Sequence, residues 1–139
     1  MTMSPYPLPR PDAHTKPYWE GAAQGELRYQ CCAKCQKVQL MPRSLCEHCQ
    51  SAQLDWKVSQ RRGRVKTFTV VHRAPLPVFK AQVPYAIAII DMAEGFRVMA
   101  NALPAAKANL AIGATVRMGF QVVHGMTLPV IEEVERLPA

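Results

Sequence analysis

Cys32-Ala33-Lys34-Cys35 and, ten residues further on, Cys46-Glu47-His48-Cys49 decide how the first half of this chain folds. Two thiolates at a Cys-x2-Cys spacing sit on one tight turn, and two such turns facing each other supply the four soft ligands of a tetrahedral structural Zn²⁺. Disulfides or buried thiols are the alternatives, but nothing else in the chain marks an oxidising compartment, and repetition of the pair argues against a redox motif. Cys31 competes with its neighbour for the first position; Cys32 is favoured because its spacing reproduces that of the second pair. His48, inside the second pair, is superfluous when four cysteines are present. Such turns often carry glycine after the second cysteine, where backbone N–H groups approach sulfur, and here Gln36 and Gln50 stand in those places. A site closed by four thiolates has no open position for a water, so it is structural and does not by itself make the chain an enzyme.

Around the cysteines the chain reads as a ribbon over 27–55, with Tyr29 to Cys31 as its entry strand and Val38 to Met41 as its return. So short a unit cannot build an apolar core. Zn²⁺ binding, typically worth on the order of 10–16 kcal/mol at such sites, takes that place. Upstream, residues 1–26 begin as an extended arm stiffened by Pro5, Pro7, Pro9 and Pro11. Thr15 then offers an N-cap, and Pro17, Tyr18, Trp19, Ala22 and Ala23 follow at helical spacing, which predicts two or three turns ending near Gly25. The aromatic face of this helix must dock, either on its own chain or on a partner.

Downstream, residues 56–139 change to a β pattern. Arg64 to His72, Tyr85 to Ile90, Phe96 to Ala102, Thr115 to Val123 and Leu128 to Val134 are strand candidates, separated by turn signals at Glu94-Gly95, Ile112-Gly113 and His124-Gly125. An Ala-rich segment from Pro104 to Leu110 predicts a helical turn between the third and fourth strands. Five strands in that order predict an oligomer-binding (OB) barrel, so the fold class is mainly β: short helical arm, zinc ribbon, five-stranded OB barrel. Strict alternation on the first strand would send Arg62, Arg64, Lys66 and Phe68 to one face, and Val65, Thr67, Thr69 and Val71 to the other. The loop from Arg73 to Pro84 is longer than a hairpin needs, is stiffened by Pro75 and Pro77, and projects Phe79 and Lys80.

The 139 residues carry a formal charge of +7, with cations concentrated from Lys57 to Arg73. That excess suits nucleic acid, a phosphorylated cofactor or a plain solvated face; at 7 % the aromatics are too sparse for a base-stacking platform. No apolar leader follows the N-terminus and no run approaches a membrane span, which reads as a soluble, cytoplasmic protein. No catalytic set emerges. Cys31 lacks an evident base, His14, His72 and His124 are dispersed, and Glu132 and Glu133, on successive strand positions, are expected to face opposite sides.

Taken together, Pro17-Tyr18-Trp19-Glu20-Gly21 with Gly25-Glu26-Leu27, the two cysteine pairs, Pro42-Arg43-Ser44-Leu45, Gly63-Arg64-Val65 leading to Thr69-Val70-Val71-His72-Arg73, Pro84-Tyr85, and Ile112-Gly113 resemble one family. It is that of the zinc-ribbon/OB-fold proteins associated with acyl-CoA enzymes, and the likeness runs from about residue 11 to 130. The resemblance implies a rubredoxin-like ribbon and an accessory subunit, not catalytic alone, that docks on a thiolase, thiolase-like aldolase or acyltransferase and helps shape its acyl-CoA site. Arg64, Lys66, Arg73 and Lys80 are then candidates for the phosphates of coenzyme A, with Phe79 and Tyr85 along the pantetheine or acyl path. Two readings compete: a single-stranded nucleic-acid module using the barrel's basic face, and a homo-oligomerisation device.

Overall fold

The computed structural model describes residues 7–135, so Pro5 of the expected arm lies outside the described residues. Helix α1 (Lys16–Ala23) begins after Thr15 as expected, but the capping runs the other way. The Asp12 carboxylate accepts the N–H groups of His14 and Thr15 at 2.9 Å each, while the Thr15 hydroxyl accepts the Asp12 N–H. At the far end Gly25 turns out of the helix at φ 78°, a left-handed conformation that favours glycine. Tyr18 and Ala22 are buried and Trp19 packs against the same core, so the aromatic face docks on its own chain, against the first and last strands.

Strand β1 (Arg28–Cys32) pairs antiparallel with β2 (Val38–Gln39) on one side and β3 (Leu54–Val58) on the other. β3 is the element that the sequence reading did not single out. It runs through residues 55 and 56 and pairs along the whole of β1, from Arg28↔Val58 to Cys32↔Leu54. Neighbouring residues here serve different layers: Leu27, just before β1, and Tyr29 and Cys31 within it join the barrel's apolar core, while Cys32 faces the knuckles.

The barrel consists of β4 (Arg62–Val71), β5 (Tyr85–Met92), β6 (Arg97–Asn101), β7 (Thr115–Val123) and β8 (Met126–Val134), in the sheet order β6-β5-β4-β7-β8. A short helix α2 (Pro104–Lys107) lies between the third and fourth barrel strands, as the sequence predicts. Closure comes from a parallel bridge of Ala102 to Ile131 and from the Leu103 N–H donating to the Ile131 carbonyl at 3.0 Å. Gly63 lets β4 press on β5, since a Cβ there would fall 2.6 Å from Ile90 Cγ2 and 2.7 Å from the Asp91 carbonyl.

Two bulges overturn expectations based on strict alternation. In β4 the register slips between Val65 and Thr67, so Phe68 and Val70 turn toward the core and Thr67 and Thr69 are exposed. Phe68 therefore does not share a face with Arg62 and Arg64. In β8 an extra residue falls between the Arg117 and Met118 pairings, leaving Glu132 and Glu133 both exposed, where both reach Arg117 at 3.7 and 2.9 Å.

Ribbon and barrel form one packed unit. The rings of Tyr29 and Phe96 lie 4.9 Å apart. At the crossing from β3 to β4, Glu94 of the β5–β6 turn accepts the Ser59 hydroxyl and the Gln60 N–H, each at 2.8 Å, and the Ser59 oxygen accepts the Arg61 N–H at 2.9 Å. No helix among the described residues is long and apolar enough to cross a membrane.

Candidate metal centre and binding face

Cys32, Cys35, Cys46 and Cys49 converge with their sulfurs all within 4.8 Å of one another. Cys32 Sγ lies 3.5 Å from Cys49 Sγ, and Cys35 Sγ lies 3.6 Å from Cys46 Sγ. A tetrahedral Zn²⁺ with bonds of about 2.3 Å holds sulfurs roughly 3.8 Å apart, so the set fits the ion. Cys31, only 7 % exposed, sits in the core cluster outside this set, and Cys32 is the neighbour that joins it.

The two knuckles share their backbone hydrogen bonds. The Gln36 N–H donates to the Cys32 carbonyl at 2.9 Å, and Gln50 does the same to Cys46. The Cys32 N–H donates to the Lys37 carbonyl, and that of Cys46 to Ser51. Gln36 at φ 67° and Gln50 at φ 63° adopt the left-handed conformation that the missing glycines would supply without strain. Backbone N–H groups of Cys35 and His48 point at the sulfurs of Cys32 and Cys46, each at 3.4 Å. The Cys35 amide accordingly lowers the Cys32 thiol to about 6, and the Cys49 amide lowers that of Cys46. Cys35 receives a lowering bond from the Lys37 amide, but burial and the neighbouring thiols outweigh it and push it up to about 12.

Two residues that the sequence reading passed over hold the second knuckle in place. Gln30 and Gln39, 5 % and 3 % exposed, face each other across β1 and β2, with Gln39 Nε2 donating to Gln30 Oε1 at 2.7 Å. Gln30 also bonds the carbonyl and N–H of Arg43, each at 3.0 Å, and Gln39 accepts the Glu47 N–H at 2.9 Å. The loop carrying Cys46 thus hangs on two amide side chains. Two glutamines at matching strand positions beside a metal loop are the signal that would have found them.

The six other candidate residues are divided by the barrel. Tyr85 pairs with Val71 at one end of β4, while Arg64 pairs with Asp91 near the other, about 20 Å along the strand at the usual rise per residue. Phe79 and Lys80 lie on a 3-10 turn (Pro77–Gln82) within the β4–β5 loop, with the Phe79 and Tyr85 rings 6.2 Å apart. Tyr85 lines a groove of about 560 Å³ between this loop and the β7–β8 turn, with Asn101, Leu103, Lys107, Val122 and His124 among its other walls. Lys107 Nζ reaches the Pro84 carbonyl across it at 2.8 Å. Arg64 and Lys66 are exposed on β4, and Arg73 is exposed at the start of the loop. The structure brings Phe79 and Tyr85 together, with Lys80 next to Phe79 on the turn, and leaves Arg64 and Lys66 apart from them.

Comparison with known proteins agrees with this architecture. Residues 19–55 match the model of the ChsH2 rubredoxin-like zinc ribbon domain, and residues 56–121 that of the ChsH2 C-terminal OB-fold domain. A solved chain described as "Ltp2-ChsH2(DUF35) aldolase" superposes with a TM-score of 0.76 at 30 % identity, over 89 % of this chain and 97 % of that one. A DUF35 domain-containing scaffold protein of Methanocaldococcus jannaschii is 32 % identical over 91 residues, 65 % of this chain and 64 % of that protein. A probable enoyl-CoA hydratase alpha subunit of Thermomonospora curvata is 32 % identical over 114 residues, 81 % of this chain. The chain spans only 35 % of that subunit's length.

Proposed function

The chain belongs to the ChsH2/DUF35 family of zinc-ribbon/OB-fold proteins, and from that membership we propose that it is a non-catalytic subunit of an acyl-CoA enzyme complex. Its partner is a thiolase-like enzyme, a thiolase, aldolase or acyltransferase, which carries the nucleophile and the acid/base groups. The zinc ribbon fixes the shape of the docking subunit, and the barrel helps complete the acyl-CoA site. One observation carries this reading: the likeness to the chain described with an aldolase covers 97 % of that chain, in a fold where ribbon and barrel share one core. The chemistry of the side chains supports it. Cys31 is sealed in the core, four thiolates are committed to a closed metal site, and Glu132 and Glu133 are held by one arginine.

On this reading coenzyme A approaches by the groove between the β4–β5 loop and the β7–β8 turn, with Arg73 and Lys80 for its phosphates and Phe79 and Tyr85 along the pantetheine. Removing the charges of Arg73 and Lys80 together should weaken acyl-CoA retention by the complex while assembly persists; unchanged retention removes the loop from the site. The assembly itself is tested by capturing the tagged chain from its native lysate at physiological salt and identifying what elutes by mass spectrometry. A stoichiometric thiolase-like subunit is expected. Recovery of nuclease-sensitive nucleoprotein, or of the chain alone as a homo-oligomer, defeats the proposal. The inward turn of Phe68 counts against the nucleic-acid alternative, since it leaves the β4 cations without an adjacent stacking ring on their own strand.

A further inference from the structure

The outer surface of β4, β5 and β6 can be read row by row from the strand pairings. Arg64, Asp91 and Arg97 form one row, Thr67, Ile89 and Met99 the next, and Thr69, Ile87 and Asn101 the third. These residues are exposed or half-buried, and Met99 is 70 % exposed. The sheet therefore presents Met99, Ile89 and Ile87 as a connected apolar strip, bounded on one side by charge. This is the second- and third-strand face through which OB barrels commonly bind. In place of stacking aromatics it offers aliphatic groups and a thioether, which suit packing against another protein.

The charge beside the strip is one-sided. Asp91 is bonded to Arg97 at 2.6 Å, and Arg117, opposite Arg62, is matched by Glu132 and Glu133. Among the described residues Arg62, Arg64 and Lys66 have no carboxylate partner. The same face of a second copy would offer these cations only Asp91, which is already bonded to Arg97. A partner surface with an apolar centre and carboxylates along one margin meets both features.

We propose that the outer face of β4–β6, with Met99, Ile89 and Ile87 at its centre and Arg62, Arg64 and Lys66 at its margin, docks on an acidic-rimmed apolar surface of the partner enzyme subunit. The inference rests on the proposed function and adds to it the surface used. It also separates the two groups of cations: Arg73 and Lys80 belong to the β4–β5 loop, and those of β4 face the partner.

The test uses the full zinc-loaded chain and the purified thiolase-like subunit, titrated against each other at low and high salt. Met99→Glu should weaken the complex at least about tenfold, the scale of a central interface residue. Arg64→Glu should weaken it several-fold and flatten the salt dependence. Met41→Glu, an equally conspicuous change at a residue 65 % exposed on the ribbon, should leave affinity within about twofold. Zinc content and melting temperature confirm that each variant is folded; both Met99 and Arg64 are exposed, so either variant suffices if the other is lost. Wild-type binding that neither variant weakens overturns this surface and leaves the proposed function standing. Failure of the wild-type chain to bind overturns both. A homodimer of the chain alone that Met99→Glu dissociates assigns the face to a second copy and overturns the proposal.

Discussion

The ribbon and the barrel solve the same problem of cohesion with different materials. The barrel buries Ile90, Val116, Met118 and Ile131 almost completely and is held by apolar packing. The ribbon has thiolates where a core would be, and its remaining interior is polar: the Gln30–Gln39 pair and the peptide groups of residues 43–47. Packing is distributed, so a barrel survives the loss of part of one contact, whereas coordination is concentrated in a few atoms. The ribbon should therefore fail in one step and the barrel by degrees.

The largest effect follows from the metal. Cys46→Ser should abolish stoichiometric zinc and unfold the ribbon, a loss on the order of 10 kcal/mol of binding energy. Cys31→Ser should keep one zinc per chain. Metal analysis with circular dichroism decides both, and retention of zinc by the first variant with loss by the second would reverse the ligand assignment. Next comes Ile90→Ala, which should cost the barrel about 2–5 kcal/mol and lower its melting temperature without changing zinc content. Gln39→Leu should cost about 1–3 kcal/mol by stranding the Glu47 N–H and part of the Gln30 amide. Its signature is faster zinc transfer to a chelator; an unchanged transfer rate would show that the second knuckle stands without the amide pair.

A smaller, graded effect concerns protons. Cys35 is held protonated at neutral pH, whereas Cys32, lowered to about 6, is largely thiolate there. Zinc uptake must then release at least one proton, and apparent affinity should rise at least about tenfold per pH unit across the neutral range. Competition with a chelator at several pH values measures the slope; a flat profile would mean that all four thiols are ionised before the metal arrives. The smallest change is a gain. Gln36→Gly and Gln50→Gly should each stabilise the zinc-loaded ribbon by about 1 kcal/mol by relieving left-handed backbone at a non-glycine residue.

Much of this contrast was legible in the residues. Thiol spacing specifies a metal site because chelation depends on local turns, and the five barrel strands announced themselves through β-branched runs broken at glycine. β3 was legible too, in the alternation of Leu54, Trp56 and Val58, but its nearness to the knuckle masked it. The bulges were not, because Lys66-Thr67 and Glu132-Glu133 read as ordinary alternation and the slip is decided by the neighbouring strand. Nor did Glu94 stand out from any turn carboxylate; its role depends on Ser59 and Gln60, distant in the chain. The spread of the candidate cations over two ends of one strand is likewise a fact of pairing, which composition does not carry.

Cys31 and Cys32 point to opposite sides of β1, one into the apolar core and one to the metal. A ribbon chelated one residue out of frame, with Cys31 in place of Cys32, would rotate Tyr29 and Leu27 away from Phe96 and drive Gln30 into the barrel. Such a chelate could satisfy zinc, but it would take Tyr29 and Cys31 out of the core that ribbon and barrel share. The barrel thus acts as a proofreader of the metal site, rejecting a miscoordinated ribbon that the ion alone would accept.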